Sequence, residues 1–187
     1  MRVPLFSIVP LFISSIAVAQ TNPTETNYTG VIKQYFYDGK RIRSETPYLK
    51  GEKNGVVKVY YENGKVFSET PFTHGRADGA AKEYSKSGKV EKVTPYNMGY
   101  ETGTEKGYYE NGTLEYTHDY VENVLTGVSR EYYRNGIMMS EALYKDGEKD
   151  GIESVYDEDG KLKSETIYKE GKALSTRHFD KNGKEIK

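Results

Sequence analysis

The chain alternates apolar and polar residues in short runs that recur with a period of about 24 residues. Each period opens with a glycine, which is followed by an apolar or small residue and, four places further on, by a tyrosine. These tyrosines are Tyr35, Tyr60, Tyr84, Tyr108, Tyr132 and Tyr156. Because side chains alternate between the two faces of a strand, this pattern predicts a β-strand at the start of each period.

A second apolar run follows in each period and ends in an aromatic residue. These residues are Tyr48, Phe72, Tyr96, Tyr120, Tyr144 and Tyr168. An Asn-Gly or Asp-Gly pair separates the two runs in most periods, as at Asn63-Gly64. Such a pair is the strongest local signal for a two-residue hairpin turn in which both residues have a positive φ. A slightly longer turn is expected at the other connection, as from Gly51 to Gly55.

The repeat predicts an all-β fold over residues 30–187. We expect an elongated antiparallel meander of about six to seven β-hairpins, forming a single-layer or curled sheet. Helices are not predicted after the N-terminal segment, because no window has apolar residues at the i, i+3, i+4 and i+7 spacing.

Odd-numbered positions, counted from the opening glycine, are expected to share one face of the sheet through both strands. This would place the first apolar residue, the tyrosine and the terminal aromatic residue together, with a row of cations between them. A lysine stem can lie across tyrosine rings while its ammonium group stays in water. The predicted interaction face comprises Tyr35, Tyr60, Tyr84, Tyr108, Tyr132, Tyr156, Lys58, Lys82, Lys106 and Arg130.

The N-terminal segment has a different pattern. After Met1 and Arg2, residues 3–16 are almost wholly apolar, and Ala17 to Ala19 provide a small-x-small site. This predicts a helical signal peptide over residues 1–19, cleaved after Ala19, and a flexible leader over residues 20–29. An uncleaved anchor is the alternative, but the run is shorter than the roughly 20 residues of a spanning helix. The protein is therefore expected in the periplasm or outside the cell.

Composition narrows the classes of partner and site. The 27 Lys and Arg residues nearly balance the 28 Asp and Glu residues, which argues against a nucleic-acid-binding surface. The chain has no cysteine, which excludes disulfides, thiolate metal sites and an acylated cysteine anchor. Mean hydropathy is low, at −0.80, but the 18 tyrosines give an aromatic content that disordered chains lack.

The run from Gly55 to Glu69, repeated over residues 127–141 and 151–165, resembles the bacterial variant of the MORN repeat. The resemblance extends over essentially all of residues 30–187. Proteins with this repeat are often described as similar to an antitoxin family of toxin–antitoxin systems, and more distant MORN repeats occur in scaffold and membrane-associated proteins. The resemblance implies a binding role by analogy.

The repeat carries no catalytic or cofactor-binding motif, so the protein is not expected to be an enzyme or to use a cofactor. The three histidines occupy unrelated repeat positions and lack metal-ligand spacing; they are His74, His118 and His178. Four glutamates recur at one position: Glu45, Glu69, Glu141 and Glu165. These could hold a cation or a basic partner, although cross-strand pairing with Lys or Arg is the simpler interpretation. The acidic run over residues 157–160 is expected to be a hairpin turn and not a calcium loop.

Two functions from different classes remain open. In the first, the tyrosine-rich face docks a protein partner, because tyrosine provides a large rigid contact area at low entropic cost. In the second, the cation row, extended by Lys33, meets anionic lipid or glycan at an envelope or membrane surface. An antitoxin-like inhibitor of a partner protein is a less favoured third function. The sequence leaves the partner, the oligomeric state and the functional face open.

Overall fold

The computed structural model describes residues 27–186, in which β-strands form the regular structure. The strands are β1 (Gly30–Tyr35), β2 (Ile42–Leu49), β3 (Glu52–Lys53), β4 (Gly55–Tyr60), β5 (Val66–Thr73), β6 (Arg76–Ala77), β7 (Gly79–Tyr84), β8 (Val90–Asn97), β9 (Tyr100–Glu101), β10 (Gly103–Tyr108), β11 (Leu114–Val121), β12 (Val124–Tyr132), β13 (Met138–Lys145), β14 (Glu148–Tyr156), β15 (Leu162–Lys169), β16 (Lys172–Phe179) and β17 (Glu185–Ile186). The predicted signal peptide lies outside the described residues. Between residues 27 and 186, no helix is long and apolar enough to cross a membrane.

Pairing is antiparallel between strands that follow one another along the chain, which confirms the predicted meander. We number six full hairpins 1 to 6: β1–β2, β4–β5, β7–β8, β10–β11, β12–β13 and β14–β15. Strands β16 and β17 form a short last hairpin. Successive hairpins also pair with each other, as where Glu45 lies opposite Lys58. Within residues 27–186 no pairing joins the first and last strands, so the sheet is open.

The Asn-Gly connection is a three-residue turn. In hairpin 2 the Tyr61 amide donates to the Lys65 carbonyl over 2.8 Å, and the Gly64 amide donates to the Tyr61 carbonyl over 2.9 Å. Only the glycine has a positive φ, of 81°. The Asn63 side chain accepts a hydrogen bond from the Lys65 amide at 3.0 Å, which favours a type I turn followed by a left-handed glycine. The prediction of a two-residue turn with two positive φ angles was therefore wrong at this connection.

The connection between hairpins is the shorter of the two. Lys50 and Gly51 have φ angles of 52° and 84°, and Leu49 pairs with Glu52 across them. This is a two-residue turn whose twist matches that of the strands, so the longer turn predicted here was wrong. Gly55 lies beyond the turn with φ 107°, and a Cβ there would lie only 3.1 Å from the Pro47 ring.

The pairing defines two faces, because residues directly opposite each other in a hairpin share a face. In hairpin 2, Lys58 lies opposite Glu69 and Val56 lies opposite Pro71. We call the face that carries these residues face A. Face B is the other one, on which Val57 lies opposite Thr70 and the terminal aromatic residues are found.

The prediction that the terminal aromatic residues share a face with the tyrosine and the lysine of their repeat was wrong. Alternation does not continue unchanged through a turn, since the third residue after the opening glycine pairs with the fourteenth. Ser68, Thr70 and Phe72 therefore lie on face B, whereas Lys58 and Tyr60 lie on face A.

The core is thin and partly polar. Ala142 is the only buried apolar side chain among the described residues. The buried polar residues are Thr94, Glu105, Thr117, Ser129 and Thr166. All but Thr117 lie on face B, which also carries the half-buried terminal aromatic residues. Ladder hydrogen bonds and half-buried rings thus take the place of a large apolar core in this single-layer sheet.

Candidate functional site

The predicted tyrosines lie near the three-residue turns, and all but Tyr35 are half-buried. The Tyr60 hydroxyl donates to the carboxylate of Glu45 in the preceding hairpin at 2.6 Å. Tyr84 donates to Glu69 in the same way at 2.9 Å. Burial, followed by the bond to Glu45, raises the pKa of Tyr60 to about 12. These two hydroxyls join successive hairpins and are not free to bind a partner.

The second tyrosine of each doublet has a role that the sequence analysis did not assign. The hydroxyls of Tyr61, Tyr109 and Tyr133 donate to backbone carbonyls of the next hairpin at 2.7, 2.6 and 2.8 Å. Each donor and acceptor are 23 residues apart. The recurrence of a tyrosine at this spacing was the available signal. These residues hold the stack of hairpins together along its turn edge.

Most of the predicted cation row is paired across the strands of face A. The distances between charged atoms are 3.0 Å for Lys33–Glu45, 3.0 Å for Lys58–Glu69 and 2.6 Å for Arg130–Glu141. Arg177 pairs with Glu165 in the same manner. The simpler interpretation of the recurring glutamates, cross-strand pairing, is thereby confirmed.

Two of these carboxylates have both a lysine and a tyrosine partner. The Tyr60 hydroxyl and the Lys33 ammonium hold the pKa of Glu45 below its usual value. Lys58 and Tyr84 act on the pKa of Glu69 in the same direction. We call each set of a lysine, a carboxylate and the tyrosine of the next hairpin a triad. The two complete triads are Lys33–Glu45–Tyr60 and Lys58–Glu69–Tyr84.

The triads are interrupted in hairpins 3 and 4. Lys82 lies opposite Val93, and Lys106 lies opposite Thr117, at positions where hairpins 1 and 2 have glutamates. Both lysines are exposed, and neither forms an ion pair within residues 27–186. Within residues 27–186, Lys106 has no carboxylate opposite it on either neighbouring strand, whereas Lys82 lies opposite Glu69 of β5 without forming an ion pair with it. Of the predicted cations, these two are therefore the ones that are not held in an ion pair.

A line of exposed apolar side chains runs along face A beside the charged pairs. Its most exposed members are Val31, Val56, Leu143, Ile152 and Ile167, with exposed fractions between 42% and 54%. Each lies two residues along its strand from a member of the Lys–Glu row or from the equivalent position. Face A thus presents an apolar line and a charged line side by side.

Hairpin 4 also departs from the repeat on face B. Its buried Glu105 stands where hairpin 2 has Val57, and its carboxylate accepts a hydrogen bond from the Thr94 hydroxyl at 2.7 Å. The Lys92 ammonium lies 3.9 Å from Glu105. Burial, followed by a hydrogen bond with Glu105, raises the pKa of Glu101 to about 7. The Glu101 carboxyl therefore holds its proton up to a higher pH than an exposed glutamate does.

Tyr116 occupies the space beside this acidic group. Its ring stacks on His118 with centroids 4.5 Å apart, and burial lowers the pKa of that histidine. The ring also covers Gly107, where a Cβ would lie 2.1 Å from a ring carbon. Glu105, Gly107 and Tyr116 thus form one packed unit that the other hairpins lack.

The histidines are not brought together. His74 is the first residue of a two-residue turn and faces Glu52 at 3.4 Å. His118 lies on face B, and His178 lies in β16. In the part of the chain that the structure describes, no group of His, Asp or Glu side chains is arranged to hold a metal ion.

The sequence of these hairpins matches the model of a known protein family. The MORN repeat variant model matches five consecutive segments, at residues 53–74, 77–98, 101–122, 125–146 and 149–170. A search of curated proteins gave no significant match. Hairpin 1 lies outside the matched segments but has the same antiparallel pairing and cross-strand ion pair as hairpin 2, with a turn that is one residue longer. MORN repeats are in general non-catalytic modules that bind proteins or membranes. The chain belongs to the MORN repeat variant family.

Proposed function

We propose that the protein is an exported, non-enzymatic scaffold that docks a partner protein on face A. The line of exposed apolar side chains beside the charged pairs is the observation that supports this most. Exposed apolar surface is typical of interaction sites. The line lies in two stretches, in hairpins 1 and 2 and in hairpins 5 and 6, because Thr104 and Asp119 occupy its position in hairpin 4. Successive hairpins lie about 10 Å apart, two strand spacings. The line is therefore suited to an extended partner and not to a small molecule.

Binding to anionic lipid or glycan is the alternative function. It needs a basic surface, but Lys33, Lys58 and Arg130 are each neutralised by a facing glutamate. A surface on which charges of both signs alternate attracts an anionic bilayer weakly. The pairing therefore favours a protein partner.

An antitoxin-like role would be a narrower form of protein docking. It would place the partner in the cytoplasm, whereas the sequence of residues 1–19 favours export. N-terminal sequencing of the exported protein tests this part of the proposal. A start at Gln20 is expected, and a chain that keeps Met1 in the cell's cytoplasmic fraction would contradict export.

Docking on face A can be tested without disturbing the stack of hairpins. The variant combines Val56→Thr, Ile152→Thr and Ile167→Thr, at exposed positions of face A. Threonine keeps the β-branched shape that strands prefer, so the sheet should be preserved. Tyrosine substitutions are less suitable, because the Tyr60 and Tyr84 hydroxyls join the hairpins.

The control replaces exposed apolar residues off face A with threonine, namely Tyr37 in the turn of hairpin 1 and Ile186, which pairs with His178 on face B. Each protein is used as bait against envelope and secreted fractions, after circular dichroism has shown equal strand content. One protein should be retained by wild type and control and lost, by at least tenfold, from the face A variant. Equal retention by all three, or retention only of anionic lipid that is released by salt, would contradict the proposal.

A further inference from the structure

The complete triads show which donors this repeat uses to hold a carboxylate on face A. Glu45 accepts from the Lys33 ammonium at 3.0 Å and from the Tyr60 hydroxyl at 2.6 Å. Glu69 is held in the same way, at 3.0 and 2.9 Å. The lysine belongs to the same hairpin as the carboxylate, and the tyrosine belongs to the next. Each carboxylate is therefore bound by donors from two adjacent hairpins.

The same donors are present at the centre of the array, but the carboxylates are missing. At Val93 the equivalent donors are Lys82 and Tyr108, and at Thr117 they are Lys106 and Tyr132. Within residues 27–186 these four side chains make no ion pair and no side-chain hydrogen bond, in contrast to their equivalents in the first triads. At two adjacent positions the carboxylate is thus replaced, by the half-buried Val93 and the buried Thr117, while the donors remain. We call these two the vacant carboxylate positions.

Both vacant positions lie between cations on neighbouring strands. Val93 is flanked by Lys82 on one side and by Lys106 on the other. Thr117 is flanked by Lys106 and Arg130. The positions are two strands apart, which corresponds to about 9.6 Å. A ligand with two carboxylates at this separation would meet both donor sets at once.

We propose that an acidic segment of the partner protein places two carboxylates at these positions and so completes the interrupted triads. This inference rests on the proposed docking of a protein on face A and adds the chemistry of the partner. In a polyproline II segment, residues i and i+3 lie on the same side about 9.3 Å apart. A Glu-x-x-Glu segment in this conformation fits the two positions.

A carboxylate-bearing peptide suits this surface better than an anionic membrane. Within the predicted cation row, the two lysines without an ion pair lie at the centre of face A, since Lys33 and Lys58 on the N-terminal side are neutralised. A bilayer would meet those carboxylates together with the free lysines. A peptide can instead place its acidic groups at the vacant positions and its apolar groups on the neighbouring line of exposed residues.

The test titrates the mature protein with the capped peptide Pro-Pro-Glu-Pro-Pro-Glu-Pro-Pro at low ionic strength, with calorimetry as the readout. The control peptide carries glutamine in place of both glutamates. Wild type should bind the acidic peptide at least tenfold more tightly than the control peptide. Equal affinity for the two peptides, or binding of phosphatidylglycerol vesicles without binding of the acidic peptide, would overturn the proposal.

Two variants locate the binding. The combination of Val93→Glu and Thr117→Glu restores the residue that hairpins 1 and 2 carry, and should lower peptide affinity at least tenfold because the vacant positions are filled. Lys82→Gln with Lys106→Gln needs no repacking, because both side chains are exposed, and should have the same effect. Lys58→Gln removes a paired lysine and should change affinity less than twofold. Unchanged affinity in the Lys82/Lys106 variant would refute the assignment.

The same variants distinguish this inference from the proposed function. If the captured partner is lost from the threonine variant of face A but still binds Val93→Glu/Thr117→Glu, docking on face A stands and the acidic segment is refuted. If the acidic peptide binds wild type and is lost from the central variants while no partner depends on the apolar line, the carboxylate positions stand and the docking proposal fails.

Discussion

Hairpins 1 and 2 and hairpins 3 and 4 share one repeat but use their polar groups differently. In the first pair, Glu45 and Glu69 each satisfy a lysine and a tyrosine on face A. In the second pair, Val93 and Thr117 replace these carboxylates, and the lysines opposite them are left unpaired. The charged and hydroxyl groups on face A of hairpins 1 and 2 thus bond to one another, whereas the corresponding lysines at the centre of the array form no ion pair.

The difference continues on face B. Hairpin 2 places Val57 where hairpin 4 places Glu105, so a carboxylate is lost from one face and another is gained on the opposite face. Hairpins 1 and 2 therefore use their polar side chains to hold the stack together. Hairpins 3 and 4 differ from the repeat on both faces, and these differences are where a partner could be recognised specifically. Substitutions that exchange features between the two regions test this division.

The largest effect is expected from Gly107→Val, which introduces the residue found at the equivalent Val59 of hairpin 2. A Cβ at Gly107 would lie 2.1 Å from the Tyr116 ring, so the ring must be displaced. Overpacking of this kind costs roughly 1–3 kcal/mol, and we expect a loss near the upper end in chemical denaturation.

Tyr116→Ser provides the control, because serine occupies this position in hairpins 1 and 2, as Ser44 and Ser68. In the Tyr116→Ser background, Gly107→Val should cost less than about 1 kcal/mol, since a double-mutant cycle reports the contact between the two sites. An equal cost in both backgrounds would show that the ring is not what requires the glycine.

The second comparison concerns the two tyrosine environments. Tyr60→Phe removes the hydroxyl bonded to Glu45 and should lower the free energy of unfolding by about 1 kcal/mol. Tyr108→Phe removes a hydroxyl that makes no hydrogen bond within residues 27–186, and it should change the free energy of unfolding by less than about 0.5 kcal/mol. Thermal and urea denaturation measure both. Equal losses would mean that the central hydroxyl is already satisfied.

A third effect is confined to a window of pH. The folded-state pKa of Glu101 is raised from 4.5 to about 7 by burial and by Glu105, so the folded protein holds this proton more tightly than the unfolded chain. The corresponding stabilisation is complete below pH 4.5 and is lost as the pH rises through about 7. Solvent screening reduces its size, because the group is largely accessible to water.

Glu101→Gln removes this dependence. Relative to wild type, the variant should therefore gain stability as the pH is raised from 4.5 to above 7. Urea denaturation of both proteins across this range gives the difference. A constant difference between them would show that Glu101 titrates alike in the folded and unfolded chains.

The smallest effect is expected from Val93→Glu alone. It gives Lys82 a facing carboxylate like that of Lys58, and an exposed pair of this kind is worth about 0.5 kcal/mol. A small gain in stability that disappears in high salt is expected from thermal denaturation. A clear loss of stability would show that the packing of the Val93 side chain is worth more than the new ion pair with Lys82.

The strands and the meander could be predicted from the sequence because the period is regular. The turn types could not, since Asn63-Gly64 is compatible with two- and three-residue turns and Lys50-Gly51 carries a weaker signal than Asn-Gly. The faces were misassigned for a related reason. Which residue of the second strand faces Lys58 depends on the register through the turn, and local alternation does not specify it.

The candidate site was predicted only in part. Lys82 and Lys106 lie in the row of cations that the sequence predicts, but the difference between paired and unpaired members of that row was not predicted. The glutamate that recurs in the other repeats is missing from repeats 3 and 4 of the sequence. Only the strand pairing shows that this leaves Lys106 opposite Val93 and Thr117, and Lys82 opposite Val93 and Glu69. The Glu105–Tyr116 unit was missed because its members stand at different repeat positions, so no single position reveals it.

The open meander also determines how the array should respond to tension. Each strand is bonded only to strands beside it, and the chain enters and leaves at opposite edges of the sheet. A force applied between Gly30 and Ile186 would therefore pull on the edge strands and detach hairpins one after another. Stretching should produce a series of small, similar steps, each releasing about 24 residues.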